Sequence, residues 1–456
     1  MKKLTILIIS MAILSSLPSC KKFLETGGPI NQVSSNEVFL TESSAISAVA
    51  ALYSRITANS GYLESSFVGA ITFLPAMSAD EVYDVYPFYD SFKDNNLTVA
   101  DGNNNNLWGS GYGEIYAINA AIEGLTAAPL STPVKNQLLG ECYTLRAFCY
   151  FYLTNLYGDV PLILTTALAD NRSKGRNAQT EVYSQITRDL LAAQSNLSDA
   201  YPSGITLRVR INKAAATALL ARVYLYQKNY PAAEQQSSAI ISNTNFSLST
   251  LENTFKNTST ETILQLFTFF GYNQFGNNTI PNGPTPEYVT YPNLDNSFEA
   301  GDGRKEQWLG IGQNSGSTVY YPAKYKLNAS TTSGDEYTVV FRLAEQYLIR
   351  AEARAYQGKI NGTESATADL NVIRARAGLS PLVLNSLSQA LLAIENERYH
   401  ELFFEFGHRW LDLKRTGRAS AVLSSQKPSW SATSILYPIP SQQIALVPAL
   451  TQNTGY

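Results

Sequence analysis

The densest cluster of side chains able to do chemistry runs through Glu395, Glu397, Arg398, Glu401, Glu405, Arg409, Asp412, Lys414 and Arg415. Glu397 and Glu401, like Glu401 and Glu405, are four apart and share a helix face. Paired carboxylates at such spacing are what a glycosidase uses, provided they face a sugar cleft and one stays protonated. Here the carboxylates alternate with arginines, and that pattern points instead to an ion-pair lattice tying helices together. His400-Glu401 opens like a zinc-protease helix, but position 404 is Phe, and His408 lies two turns beyond His400. That pair cannot close on one zinc from one helix face, and two histidines in the chain leave little room for a Ser-His-Asp arrangement, since neither has an identifiable nucleophile beside it. Asp101, Asn103 and Asn105 alternate like calcium-loop ligands, but positions 106 and 112 are Asn and Tyr where an EF-hand needs Gly and Glu. A structural calcium held by loop carbonyls stays a weak alternative. No other cofactor is expected.

A different chemistry is written at the N-terminus. Lys2 and Lys3 precede an apolar run from Leu4 to Leu14, and Leu17-Pro18-Ser19-Cys20 follows with the order of a lipobox. In that motif residues 1–19 are a signal peptide, and the Cys20 thiol becomes the lipid anchor of the mature chain. The run meets Ser10, Ser15 and Ser16 too early for the roughly 20 apolar residues a membrane span needs. Without residues 1–19 the chain keeps 32 basic and 37 acidic residues, a formal charge of −5, which speaks against nucleic-acid binding. Cys142 and Cys149 are seven apart in a helical pattern, so their sulfurs sit two turns from one another and serve as small buried hydrophobes.

Twenty-eight tyrosines against only 16% charged residues set the third theme. A tyrosine offers an apolar face and a polar tip, suited to stacking on a sugar ring as well as to helix packing. Two long stretches, Ala79 to Asn106 and Phe270 to Asp335, are rich in Asn, Gly, Pro, Ser and Tyr and lack helical period; loops of that length are commonly functional. Lectin-like binding asks for aromatic faces beside groups that hydrogen-bond hydroxyls. The candidate ligand contacts are Asp80, Tyr83, Tyr86 and Tyr89 from the first stretch, and Tyr272, Tyr291 and Trp308 from the second. Trp108 heads the series Trp108, Tyr112, Ile115, Ile118, Ile122 and is assigned to the core.

The elements that must carry these loops are mainly α. Apolar residues at three- and four-residue intervals predict helices over Glu37–Ala58, Leu107–Leu125, Val134–Tyr157, Glu181–Leu197, Lys213–Gln227, Ala232–Ser242, Phe341–Tyr356, Ala366–Ala377 and Leu387–Phe406. Leu220-Ala221, Tyr224, Tyr230 and Ala233 occupy the packing positions of a tetratricopeptide hairpin turning at Lys228-Asn229, and Phe341 to Ala377 repeats the theme around Gln357-Gly358. The expected fold is a tetratricopeptide-like superhelix of helical hairpins with long irregular loops and few short strands, one of them a hairpin around Gln313 to Leu327.

Linked motifs then resemble one family, SusD/RagB. They are Glu397-Arg398, Glu401-Leu402, Phe404-Glu405, Gly407, Arg409-Trp410 and Asp412-Leu413-Lys414-Arg415, joined by Ala351-Glu352-Ala353, Leu370 to Leu379, Leu436-Tyr437-Pro438-Ile439-Pro440 and Gln452 to Tyr456. Cys20 to Glu25 and the run Arg146 to Leu162 fit as well. The resemblance implies one body over 20–456, with an N-terminal part to about 265 and a C-terminal part from about 266. It implies an outer-membrane lipoprotein that binds oligosaccharides without turning them over and passes them to a SusC-like TonB-dependent transporter. A peptide ligand, as in the RagB-like branch, and a scaffold binding only proteins are the alternatives.

Overall fold

The computed structural model describes residues 38–57, 65–331 and 334–456; the expected signal peptide over 1–19 and the expected lipid anchor Cys20 lie outside them. Each predicted helix is found, with ends moved by a few residues. Helices Gly102–Ala127 and Thr132–Tyr157 form the first long pair, and Gln179–Asn196 packs on the second of these. The stack continues through Lys213–Tyr226, Tyr230–Ile241, Leu343–Tyr356, Ala366–Arg376 and Leu387–Leu402, each lying on a predecessor. This is the tetratricopeptide-like superhelix the spacing predicted. Ala221 is fully buried where the paired helices approach, and Lys228 adopts a left-handed φ of 59° to reverse the chain. Neighbouring pairs are also pinned by charge: buried Arg222 donates to both carboxylate oxygens of Glu345 at 2.6 and 2.7 Å and to Tyr152 Oη at 2.9 Å.

Two helical segments depart from the periodicity. Phe67–Ser78 is a helix in which every residue is buried, so it has no polar face and no amphipathic signal to read. The predicted helix Leu387–Phe406 ends at Leu402, because Phe404, Phe406 and Gly407 take left-handed φ values of 53°, 46° and 63° before the helix His408–Arg415 begins. Gly407 is required there twice over: a Cβ would come within 2.8 Å of Pro75 Cβ and 2.9 Å of the Ile71 carbonyl.

Among the described residues, six short strands form three antiparallel pairs. Strand β1 (Val82–Asp84) pairs with β3 (Tyr288–Thr290), β2 (Thr262–Leu266) with β6 (Thr338–Arg342), and β4 (Leu309–Asn314) with β5 (Ser317–Pro322). The last pair is the expected hairpin, placed a few residues earlier than predicted because its turn falls at Ser315-Gly316, both with positive φ. Asp101, Asn103 and Asn105 are no loop. Asp101 caps the helix Gly102–Ala127 by accepting from Asn104 N at 2.8 Å, and the two asparagines are already helical.

The main apolar core runs from Ala45 to Leu450 with Trp108 in it as expected, and a smaller cluster lies among the helices Leu343–Tyr356, Ala366–Arg376 and Leu387–Leu402. Cys142 and Cys149 are buried and unpaired, and burial holds both thiols well above their ordinary range. Native protein should therefore resist labelling by a thiol reagent and yield both thiols only in denaturant; rapid native labelling would contradict this packing.

Candidate functional site: an aromatic surface on a braced turn

The buried helix Phe67–Ser78 ends in carbonyls that need donors. Lys427 Nζ donates to Ser78 O at 2.9 Å and Asn95 Nδ2 donates to the same oxygen at 3.0 Å. From this fixed end the chain passes through Asp80 and Glu81 into β1. Arg409 grips Asp80 with a two-pronged ion pair, Nε to Oδ1 at 2.8 Å and Nη2 to Oδ2 at 2.9 Å, while Tyr399 Oη donates to the Asp80 carbonyl at 2.6 Å. Glu81 is fully buried; its Oε1 accepts from Phe404 N at 3.2 Å, and burial followed by the nearby Asp80 charge pushes its carboxyl up to about 8. It is therefore neutral at pH 7.

Strand β1 alternates, turning Val82 and Asp84 inward and Tyr83 outward. Tyr83 sits opposite Val289, and its diagonal neighbour Tyr291 lies with ring centroids 5.0 Å apart. Asp84 Oδ1 then accepts from Tyr86 N at 2.8 Å, a local turn that lifts the next residues off the body. Tyr86 is 52% and Phe88 70% exposed, their centroids 6.3 Å apart. Two ring pairs, the partly exposed Tyr83 and Tyr291 and the exposed Tyr86 and Phe88, thus lie along and just after β1 at one braced segment. Beside it, Phe298, Lys305, Ile311 and Tyr320 line a cleft of about 510 Å³, with Lys305 Nζ 5.2 Å from the Tyr320 ring.

The predicted contacts divide. Tyr83, Tyr86 and Tyr291 come together on this surface. Asp80, Tyr89 and Trp308 do not: all three are buried. Asp80 is held by Arg409. Tyr89 folds under the turn, edge-on to Phe73 at 5.4 Å. Trp308 is 1% exposed, donates from Nε1 to Leu251 O at 3.0 Å, and faces Lys324 Nζ at 4.8 Å. It covers a buried ion lattice rather than a ligand.

Tyr272 belongs to a second aromatic surface. Its ring lies parallel to Phe270 at 5.7 Å, and Phe269, 78% exposed, meets Phe270 edge-on at 5.1 Å. Phe267 projects next to them against Tyr337. Gly271 lets this loop press on Gly334, whose backbone would collide with any Cβ. Phe88, Phe267, Phe269 and Phe270 went unassigned as contacts. The available signal was four aromatics in the six residues Phe267 to Tyr272, directly after a strand whose own residues are all buried.

The carboxylate cluster has become the expected lattice. Arg304 Nη1 contacts Glu397 and Glu401, Arg342 contacts Glu261, Glu401 and Glu405, Arg376 contacts Glu261 and Glu401, and Lys324 contacts Glu405. Arginine neighbours outweigh burial and hold the Glu401 carboxyl well below its usual range, and Glu405 below its own. His400 Nε2 lies 2.7 Å from Ser297 Oγ, whereas His408 Nε2 lies 3.9 Å from Glu345 Oε1, so the two imidazoles serve separate neighbourhoods.

Comparison with known proteins decides the family. A model described as starch-binding, associating with the outer membrane, matches residues 22–225, and the SusD family model matches residues 304–456. The chain belongs to the SusD family. SusD-like protein P38 of Formosa agariphila is 24% identical over 519 residues, covering 100% of this chain and 99% of that protein. Among solved structures, a SusD superfamily protein of Parabacteroides distasonis superposes with a TM-score of 0.76 at 23% identity, covering 91% of this chain and 99% of the other. A laminarin-binding SusD-like protein gives 0.75 at 24% identity, with 91% and 99% covered. Of the motif residues that carry the resemblance, Glu401 and Glu405 sit in the lattice and Arg409 in the brace, whereas Tyr83, Tyr86, Phe88 and Tyr291 are not among those residues. No helix among the described residues is long and apolar enough to cross a membrane.

Proposed function

We propose that this SusD-family chain is a cell-surface glycan receptor, tethered by lipid on Cys20, that holds oligosaccharides without chemical change and hands them to a TonB-dependent transporter barrel. The body over 20–456 acts as one unit in this reading. The observation that carries it is the outward pair Tyr86 and Phe88 beside Tyr83 and Tyr291, because exposed rings on a rigid base offer flat apolar faces at little ordering cost. Family membership and the laminarin-binding neighbour support sugars as the ligand. The buried carboxylates Glu397, Glu401 and Glu405 are engaged by arginine or lysine rather than turned to a cleft, which supports binding without hydrolysis.

Replacing Tyr86 and Phe88 together by alanine should weaken glycan retention in affinity electrophoresis by about thirtyfold or more, the equivalent of losing ~2 kcal/mol of contact. The melting temperature should hardly move, since both rings project into solvent. Unchanged retention would instead favour peptides or a protein partner as the ligand. Release of reducing ends by the wild-type protein would point to a hydrolase.

A further inference from the structure

The charges around the aromatic surface speak to the kind of glycan it takes. Glu287 is exposed on the flank of β3, and Asp90 and Asp94 are half-buried just beyond Phe88. Asp84 lies beneath Tyr86, 3% exposed, with Oδ2 lacking any hydrogen-bond partner. Asp94 and Asp90 both act on the Tyr291 hydroxyl, and Glu287 and Asp90 both act on Asp84, so the four carboxylates bear on one patch. Burial raises the Asp84 carboxyl to about 6, which leaves it largely ionised at neutral pH.

The neighbouring cations are already engaged. Lys93 is paired with Asp90. Lys427 is buried, with Nζ donating to the Met77 and Ser78 carbonyls. Arg409 is bound to Asp80, and Lys305 donates to the Asp295 carbonyl at 2.6 Å. Bonds to carbonyls leave Lys305 and Lys427 charged, so with Lys93 they offset three of the four carboxylates Asp84, Asp90, Asp94 and Glu287, and a small surplus of negative charge remains among these groups.

We propose that this surface selects uncharged glycans and rejects sulfated or uronate-bearing ones, an inference that rests on the receptor function proposed above. A sugar hydroxyl can donate to Glu287 or to Asp90 while its ring stacks on Tyr86 or Phe88. A sulfate or carboxylate has no proton to donate there and meets like charge, which is costly when brought into contact. The same acidic rim would disfavour acidic peptides.

The test compares starch, laminarin and mannan with the sulfated derivative of each, so that backbone is held constant while charge is added. At low ionic strength the uncharged member of a bound pair should be preferred by at least about tenfold, and the preference should shrink as salt screens the rim. The double variant Glu287→Gln, Asp90→Asn should narrow the gap by tightening the sulfated ligand. Equal or tighter binding of the sulfated polymer by the wild-type protein, lost on Tyr86→Ala, would overturn the charge selection while leaving the receptor intact. Binding of neither member of any pair would overturn the receptor reading and this inference with it.

Discussion

Replacing Glu401 by glutamine is expected to lower the free energy of unfolding by about 3–5 kcal/mol, the range seen when one member of a buried ion pair is removed. Glu401 is fully buried, and its two oxygens serve three arginines: Arg342 and Arg376 on Oε1, and Arg304 on Oε2 at 3.2 Å. A neutral amide keeps the shape but leaves these guanidiniums short of countercharge in a place water does not reach. Urea unfolding at pH 7 measures the loss. A variant with wild-type midpoint and slope would show that the lattice carries no such stability. The pH dependence has a definite sign. Because the folded Glu401 carboxyl lies below its unfolded value, its contribution is complete above the ordinary carboxylate range and is lost as pH falls through the folded value. Glu405 and Asp412 act in the same direction. Acid destabilisation should therefore be shallower in Glu401→Gln than in the wild type. Glu81 works oppositely: its raised carboxyl favours the folded state at low pH, and that contribution declines as pH rises from about 4.5 to about 8.

Asp80→Ala should be comparably damaging, and its effect separates a brace from a ligand contact. Loss of the carboxylate leaves Arg409 only a longer ion pair with Glu395 at 3.4 Å, while its guanidinium stays buried against the Tyr399 ring with 4.0 Å between guanidinium carbon and centroid. A fall of ~3 kcal/mol or more in unfolding free energy is expected. Asp80→Asn should recover part of it, since an amide oxygen can still accept from Arg409. Asp80→Ala combined with Arg409→Met should also be milder than Asp80→Ala alone, because no charge is then left unpaired. If Asp80 touched ligand directly, Asp80→Ala would lose glycan affinity with little change in stability, and the double variant would not rescue it.

The burial of Asp80 and Trp308 shows where reading residue types reaches its limit. An acidic residue and a tryptophan in tyrosine-rich loops have the right chemistry for sugar binding, but a loop of that length also needs an interior, and these side chains supply it. Tyr83, Tyr86 and Tyr291 are chemically no different from Tyr89. What separates them is strand alternation, the Asp84 turn and the pairing of β1 with β3, contacts between segments some 200 residues apart. Helix Phe67–Ser78 escaped notice for a related reason: periodicity reports a boundary between core and solvent, and this helix has none.

The sequence alone determined the helical hairpins, through apolar spacing that needs only local geometry, and the lattice, through carboxylates and arginines alternating at helical intervals. It also carried the family signature. Only the tertiary structure decided which aromatic rings face solvent, because outward direction at the end of a long loop depends on what the rest of the chain packs beneath it. The frame is written in short-range repeats, whereas the binding surface is made by long-range contacts that no window of sequence contains.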